Sequence, residues 1–235
     1  MDIIAHRGYS GKYPENSALA FEKALALPIE GVECDVRLTR DGKVVVNHDA
    51  RIDRTSNASG KLSRMDWDEV RQADIGGGQR MLLLDELLEM VRGTGKHLYI
   101  ELKHLLFHDG GVLEEQVKLR LRYAGMLDDP HIHVISFHHT AIRKMERIAP
   151  QIDRYYLRRD WERMVNKADV MFSTPTGLGM SVLRAKLQTS AIGSRNRPTY
   201  LWTVDDEDDV KWAFVNGVDV LATNQPEVAL RAVNF

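Results

Sequence analysis

Short apolar runs alternate with amphipathic stretches along almost the whole of this 235-residue chain. Apolar runs of about four to eight residues are typical of buried strands, and aliphatic residues at helical spacing are typical of helices that cover a sheet. Strands that alternate with helices form βα units and assemble into a parallel sheet. Nine runs are predicted to be strands: residues 3–6, 31–36, 44–48, 98–102, 131–137, 152–157, 170–173, 199–204 and 218–222.

Several of the amphipathic stretches between these runs are predicted to be helices. Ser17 stands where the first of them begins and can accept a hydrogen bond from a free backbone amide, as N-cap serines do. The last begins with Asp205 and Asp206, whose negative charges favour a helix N-terminus. The predicted helices are residues 17–26, 84–91, 112–124, 140–148 and 205–214.

The third run cannot be reached from the second through a helical crossover. Only seven residues separate the two, whereas a parallel crossover takes about a dozen or more. Asp41-Gly42 between two alternating runs is a strong hairpin signal. We therefore expect residues 44–48 to run antiparallel to the second strand, with Asp35 roughly opposite His48.

Without this hairpin strand eight candidates remain, which is the number that a (β/α)8 barrel needs. The predicted fold class is therefore α/β, a TIM barrel in a single domain over residues 1–235, since such barrels commonly run to this length. The polar residues 50–80, with Gly76-Gly77-Gly78 near their end, are predicted to form an excursion on one rim after the third strand-like segment.

Composition narrows the classes of function and partner. The net charge is −2, which argues against a broad basic face for nucleic acid. Cys34 is the single cysteine, so no intrachain disulfide can form, which fits a reducing compartment. No run approaches the roughly 18 apolar residues of a membrane span, and the N-terminus has no signal-peptide pattern. We expect a cytoplasmic protein without nucleic-acid partner or stable membrane anchor, and the oligomeric state stays open.

Acidic residues share one face of the second strand and recur in a later one. Side chains two apart in a strand point the same way, so Glu33 and Asp35 point together and Cys34 points opposite. Two carboxylates inside a barrel repel each other unless protons or a hard divalent cation neutralise them. Glu101 and Lys103 end a later strand, where an acid is typical of a catalytic residue in a barrel. The alternatives are an exposed edge strand and a surface Glu–Lys pair.

Two histidines end strand candidates. His6 is followed by Arg7, which can bind phosphate oxygens with two N–H groups, and by Gly8, which lets a ligand or backbone come close. His48 ends the hairpin strand and precedes Asp49, which could orient it. A lone histidine is more often a packed or surface residue than a catalyst. Two at strand ends, with carboxylates at two other strands, favour acid–base chemistry at phosphate.

Other features carry weaker signals. Trp202, in the run 199–204, could line the mouth of the barrel or belong to its core. The remaining histidines show no zinc-ligand spacing, and the glycine triplet lacks the Lys-Ser/Thr of a nucleotide-phosphate loop. No Gly-x-Ser-x-Gly nucleophile motif occurs either.

Together these motifs resemble those of the glycerophosphodiester phosphodiesterases, nearly from end to end of the chain. The resemblance implies a TIM barrel of the phospholipase C-like phosphodiesterase type. The matching segments are His6-Arg7-Gly8, Pro14-Glu15-Asn16-Ser17, Glu33-Cys34-Asp35-Val36, Thr39-Arg40-Asp41-Gly42, His48-Asp49, Arg54-Thr55, Leu84-Asp85-Glu86-Leu87-Leu88, Ile100-Glu101-Leu102-Lys103, Ser136-Phe137, Trp202-Thr203-Val204 and Gly217-Val218-Asp219.

The resemblance also implies a reaction and a role for each matching residue. The reaction is metal-dependent hydrolysis of a small glycerophosphodiester to an alcohol and glycerol 3-phosphate. The implied roles are His6 and His48 as the acid–base pair; Glu33, Asp35 and Glu101 as ligands of one divalent cation, Ca²⁺ or Mg²⁺; and Arg7 and Lys103 at the phosphate. Phe137 and Trp202 are predicted to line the substrate pocket.

Two positions depart from the family pattern. Leu82-Leu83 stands where the family has Pro-Thr before the helix that follows the long loop, and Asn224 replaces the aspartate of a late Thr-Asp motif. We expect these departures to change the rim and the substrate pocket rather than the chemistry.

Several alternatives stay open at this point. The nucleophile is either water or the neighbouring hydroxyl of the glycerol, which would give a cyclic phosphate, and either histidine can be the acid. A phospholipase D-like enzyme acting on lysophospholipids is an alternative within the fold. A non-catalytic barrel that binds phosphodiesters is an alternative of another class, although two histidines and three acids argue against it.

Overall fold

Eight parallel strands close into a barrel in the part of the chain that this computed structural model describes, residues 1–104, 111–162 and 174–233. Closure is complete because the first strand pairs with the second on one side and with the last on the other. The structure thus confirms the predicted TIM barrel. The barrel strands are β1 (Asp2–His6), β2 (Gly31–Leu38), β4 (His97–Leu102), β5 (Ile132–Ser136), β6 (Asp153–Leu157), β7 (Gly177–Ser181), β8 (Thr199–Trp202) and β9 (Val220–Thr223).

The remaining strand, β3 (Val44–Val46), runs antiparallel to β2, as the hairpin signal predicted. The register differs from the expected one by a single residue, since the amide of Asn47 donates to the Asp35 carbonyl at 2.9 Å and His48 lies one position further on. The turn has three residues between its paired ends, with Gly42 in the left-handed region at φ +78°. Such a loop shifts the pairing relative to a two-residue turn.

Helices cover the outside of the barrel, and the five predicted ones are present. Ser17 caps the first, since its hydroxyl accepts the Ala20 amide at 3.1 Å. Among the described residues, three further helices were not predicted, at Trp67–Val70, Val182–Leu187 and Pro226–Val233. The helices are α1 (Ala18–Leu25), α2 (Trp67–Val70), α3 (Leu84–Val91), α4 (Val112–Tyr123), α5 (His139–Ile148), α6 (Val182–Leu187), α7 (Glu207–Val215) and α8 (Pro226–Val233), with short 3₁₀ turns at Leu62–Arg64, Thr189–Ala191 and Ser194–Asn196.

The sixth barrel strand, β7, was missed by the sequence prediction. The predicted strand 170–173 lies outside the described residues, and β7 is instead Gly177–Ser181. Glycine is depleted in strands, so this run carries little strand signal. Tertiary packing explains the glycines: a Cβ on Gly177 would lie 2.3 Å from the Tyr155 ring. The large side chains of β6 therefore occupy the space that β7 leaves open.

Most buried apolar residues of the barrel strands belong to one of two clusters, as strand alternation requires, and Tyr156 and Leu178 form a smaller cluster with Ile142. Val32, Cys34 and Val36 of β2 belong to the outer cluster beneath the helices, together with residues such as Phe21 and Leu87. The inner cluster fills the barrel itself. Its members are Ile4, Tyr99, Ile135, Tyr155, Leu157, Tyr200, Val220 and Ala222.

Residues 50–80 form the expected excursion between β3 and α3. They are ordered around a small core of their own, to which Ile52, Leu62, Val70 and Met81 contribute. Among the described residues, no helix is both long and apolar enough to cross a membrane.

Candidate active site

Three carboxylates meet at the carboxyl end of the barrel. Glu33 and Asp35 lie on β2, and Glu101 lies on β4 directly beside Asp35 in the parallel register. One ligand oxygen from each lies within 4.8 Å of those of the other two. The three residues are between 0% and 6% exposed, so the acids point into the barrel and not into solvent.

Two cations partly compensate this buried negative charge. The Lys103 ammonium lies 2.9 Å from Glu101 Oε1 and 3.3 Å from Asp35 Oδ1. Arg7 Nε lies 3.1 Å from the other oxygen of Asp35. Burial opposes ionisation of Asp35, but the charges of Lys103 and Arg7 outweigh it and lower its pKa. Burial raises the pKa of Glu33 well above its ordinary range, with repulsion from Asp35 as the next cause.

The conformation of Arg7 contributes to the same arrangement. Its φ is +58°, in the left-handed region that non-glycine residues rarely adopt. This turn brings the Arg7 amide within 3.0 Å of Glu33 Oε2, to which it donates. Strained backbone of this kind occurs mostly at functional sites.

The acids fit a hard divalent cation. Oxygen ligands are what Ca²⁺ and Mg²⁺ prefer, and three converging carboxylates supply them. Glu33 Oε1 is buried and has no hydrogen-bond partner among the described residues. An unpaired buried carboxylate oxygen is costly, and a cation bound beside it would remove that cost. Glu33, Asp35 and Glu101 could therefore hold a metal ion.

His6 is anchored through one ring nitrogen. Its Nδ1 lies 2.8 Å from Oδ1 of Asn224, whose own amide nitrogen donates to Asp205 Oδ2 at 2.8 Å. The contact with Asp205 orients the Asn224 amide, so His6 Nδ1 carries the proton and donates it. The other ring nitrogen, Nε2, is available to a group bound in the cavity and lies 3.9 Å from Glu33 Oε2. Burial, with the positive charge of Arg7, lowers the pKa of His6 to about 4.

His48 is also held through its Nδ1, but its partner is a charged carboxylate. Its Nδ1 lies 2.7 Å from Asp49 Oδ1, and its backbone carbonyl accepts from Arg37 Nε at 2.7 Å. Burial lowers the pKa of His48 as well. His6 and His48 line one cavity of about 180 Å³, together with Arg7 and Lys103.

Aromatic residues form the other wall of this cavity. Phe137 and Trp202 meet edge to face, with ring centroids 5.1 Å apart, and Tyr200 also lines the cavity. The Trp202 indole N–H and the Tyr200 hydroxyl are buried without a hydrogen-bond partner among the described residues. Trp202 therefore satisfies both interpretations of its strand, since it lines the mouth and packs on the inner cluster.

The sequence interpretation missed contacts that hold these groups in place. Asn16 is 2% exposed and donates to Asp35 Oδ2 at 3.0 Å, and its only sequence signal was the Pro14-Glu15-Asn16 motif. Asn224 was expected to change the rim and the substrate pocket, and the structure also brings it into contact with His6. Sequence position gave no hint of that contact, since it joins the end of the first barrel strand to the residue that follows the last.

Comparison with known proteins assigns the family. Residues 6–228 match the model of the glycerophosphoryl diester phosphodiesterase family. A glycerophosphodiester phosphodiesterase of Bacillus altitudinis is 31% identical over 97% of this chain and 96% of that protein. A probable glycerophosphodiester phosphodiesterase 1 of Mycobacterium tuberculosis is 29% identical over 95% of this chain and 89% of its own length.

The solved structures agree on the fold. A phosphodiesterase of Oleispira antarctica, determined with the product sn-glycerol-3-phosphate, superposes with a TM-score of 0.91 at 24% identity, covering 100% of this chain and 97% of that one. This superposition shows that the two chains share the fold described above. The chain belongs to the glycerophosphoryl diester phosphodiesterase family, and so to the phosphoric diester hydrolases.

Proposed function

We propose that this enzyme hydrolyses small glycerophosphodiesters to an alcohol and glycerol 3-phosphate, with one divalent cation, Ca²⁺ or Mg²⁺. The observation that carries the proposal is the convergence of groups on one cavity. His6 and His48 lie there beside Arg7 and Lys103, above three buried acids. Family membership supports the reaction class, and the product bound to the Oleispira protein supports glycerol 3-phosphate as the product.

Arg7 and Lys103 bind the phosphate in this proposal. Each already faces the acids, so each is held at a known place before the substrate arrives. Preorganised cations stabilise charge that grows on the phosphate oxygens in the transition state. A cation held by Glu33, Asp35 and Glu101 would supply further Lewis-acid stabilisation of that charge.

His6 and His48 carry out the proton transfers. One takes a proton from the attacking oxygen and the other gives a proton to the leaving alcohol. Both rings use Nδ1 for a fixed contact, to Asn224 and to Asp49. Each ring therefore presents Nε2 for proton transfer. The ring that acts as the base is neutral, with a free electron pair on Nε2, and the ring that acts as the acid is protonated on Nε2.

The test is turnover of a phosphodiester panel followed by ³¹P NMR. Glycerophosphocholine, glycerophosphoethanolamine and lysophosphatidylcholine are each incubated with Ca²⁺, with Mg²⁺ and with chelator. We expect glycerol 3-phosphate from the two glycerophosphodiesters, loss of activity with chelator, and strong loss in His6→Ala and His48→Ala. His131→Ala, at the far end of the barrel, is the matched control and keeps activity.

Distinct outcomes contradict distinct parts of the proposal. Substantial turnover by a His6→Ala/His48→Ala double variant would refute the acid–base roles. Unchanged metal affinity after substitution of all three acids would remove the metal assignment. Faster turnover of lysophosphatidylcholine than of glycerophosphocholine would favour a phospholipase D-like enzyme. A transient cyclic phosphate signal would identify the glycerol hydroxyl as the nucleophile.

A further inference from the structure

A chain of alternating charges crosses the rim beside the cavity. It begins at Arg7, whose Nη1 donates to Glu15 Oε1 at 2.9 Å. Glu15 in turn accepts from both terminal nitrogens of Arg54, at 2.8 Å each. Arg54 Nε donates to Asp49 Oδ2 at 2.5 Å, and Asp49 Oδ1 lies 2.7 Å from His48 Nδ1. The contacts thus run without interruption from a phosphate-binding candidate to an acid–base candidate.

Arg54 lies at the centre of this chain and uses all three of its guanidinium nitrogens. Two form a paired contact with Glu15 and the third reaches Asp49. A planar guanidinium suits such contacts because its N–H groups are fixed relative to one another. The angle between the two carboxylates is therefore set by Arg54 and not by either acid alone.

The contribution of these ion pairs to the stability of the fold is too small to explain the arrangement. The Arg54 side chain is 51% exposed and Asp49 is 31% exposed, so each ion pair contributes only about 0–1 kcal/mol. The loop is also fastened by its backbone, through Ile52 N to Gly60 O and Leu62 N to Ala50 O. The side-chain contacts fix the orientation of the Asp49 carboxylate, because each of its two oxygens has a partner.

We propose that Arg54 and Glu15 are positioning residues which hold Asp49 so that His48 keeps its proton on Nδ1 and presents Nε2 to the substrate. The role of His48 in catalysis comes from the proposed function, on which this inference rests. Through Glu15 the same contacts set the distance between Arg7 and His48. Arg7 at the phosphate site and the acid–base residue His48 are thereby held at fixed positions relative to each other.

Two substitutions of Arg54 and one control test the proposal. Arg54→Gln removes the charge and two of the three contacts, whereas Arg54→Lys keeps the charge but cannot bond to both carboxylates in the same way. Arg51→Gln is the matched control, because Arg51 lies in the same loop and makes an equally close pair with Asp53, at 2.8 Å, without touching the site.

We expect Arg54→Gln to lower kcat for glycerophosphocholine about 10- to 100-fold, as loss of outer contacts to catalytic histidines does. KM should change less than about threefold, because Glu15 still bonds to Arg7. Arg54→Lys should restore part of kcat, and Arg51→Gln should leave both constants as in the wild type. A fall of kcat in Arg51→Gln equal to that in Arg54→Gln would overturn the proposal.

The protonated ring nitrogen of His48 provides a second readout that does not depend on activity. Nitrogen-15 NMR of the neutral imidazole should show Nδ1–H in the wild type and a mixture with Nε2–H in Arg54→Gln. An unchanged Nδ1–H signal in Arg54→Gln would overturn the proposal even if activity fell. If the wild type turned over no substrate, the proposed function would fail, whereas this comparison would still decide on the positioning of His48.

A double-variant cycle completes the test. If Arg54 acts through Asp49, then Asp49→Asn combined with Arg54→Gln is no slower than Asp49→Asn alone. Losses of kcat that multiply in the double variant would show that the two residues act separately, which would refute the proposal.

Discussion

The two ends of the barrel interior are filled in different ways, although the same strands contribute to both. At the amino end, Tyr99 stacks on His133 with ring centroids 4.4 Å apart, and His97 Nδ1 lies 2.7 Å from His133 Nε2. At the carboxyl end, two positions further along β4, Glu101 faces Asp35 and Lys103. The first end is filled by neutral rings, and the second holds charges that burial alone would exclude.

The difference shows which end carries stability and which carries chemistry. The rings at the amino end stack on one another and fill the interior, and His97 and His133 share a hydrogen bond. The three acids do not satisfy one another, since repulsion and burial raise the pKa of Glu33. A cluster that costs stability in the metal-free protein is consistent with selection for function. The same division holds generally for TIM barrels.

The largest expected effect separates activity from stability at the carboxyl end. Glu33→Gln removes one candidate ligand charge, which should lower kcat/KM roughly a thousandfold if the bound cation contributes several kcal/mol. Because the raised pKa of Glu33 already favours its neutral form, the free energy of unfolding of the metal-free protein should change by less than about 1 kcal/mol. Urea unfolding and steady-state kinetics of the same sample measure both.

Glu33→Gln thus tests the comparison directly. A loss of several kcal/mol in the metal-free protein would mean that the carboxyl end is also a structural element. Full activity would mean that Glu33 is not part of the site.

At the amino end the opposite result is expected. Tyr155→Ala removes a ring that is 5% exposed, and comparable deletions of buried aromatic residues cost about 3–5 kcal/mol. Metal affinity of the folded protein should not change, because Tyr155 lies below the acids. Calorimetric titration and thermal unfolding check the two parts.

Tyr123→Ala is the control for this deletion. Tyr123 is 72% exposed on α4, so its removal should cost less than about 0.5 kcal/mol. If Tyr155→Ala weakened metal binding as much as stability, the two ends would be coupled and the comparison would fail.

Acid should destabilise the protein through His133 at the amino end, in addition to the loss that His6 causes at the carboxyl end. Burial, with the nearby His97, lowers the pKa of His133 from 6.5 to about 4. The unfolded chain therefore binds a proton that the folded chain excludes, and stability is lost as the pH falls from about 6.5 towards 4. The contribution is about 3 kcal/mol. Urea unfolding between these pH values should show a steeper loss in the wild type than in His133→Gln.

His131→Gln is the matched control for the pH series. His131 lies at the same end of the barrel but is 40% exposed in its side chain, so its replacement controls for the loss of a histidine there. Equal slopes in the wild type and His133→Gln would contradict the assignment to His133.

The smallest effect tests why β7 contains glycine. Gly177→Ala places a Cβ 2.3 Å from the Tyr155 ring, and overpacking of this kind costs about 1–3 kcal/mol. Combined with Tyr155→Ala the cost should disappear, because the ring that causes the clash is gone. Additive losses of unfolding free energy in the double variant would rule out this explanation.

The local sequence pattern was sufficient to predict much of the fold and to identify the candidate site residues. Alternation with period two placed Glu33 and Asp35 on one face, and the structure brings them together with Glu101. The Asp41-Gly42 signal identified the hairpin, although not the one-residue shift that its longer turn introduces. The roles of these residues stay proposals until the experiments above are done.

Contacts between parts of the chain that are distant in sequence could not be predicted from the sequence. β7 has glycine because Tyr155 and Leu157 of the neighbouring strand need its space, so its own residues carried no strand signal. His6 and Asn224 are 218 positions apart, and only closure of the barrel brings them within 2.8 Å.

The sequence by itself determined most of the strands and helices and their order, the face on which the acids lie and the family of the chain. Each of these depends on residues that are near one another in sequence or on motifs in a fixed order. The tertiary structure alone decided how the two histidines are held. Their anchoring contacts with Asn224 and, through Asp49 and Arg54, with Glu15 depend on side chains from separate segments that meet at one rim.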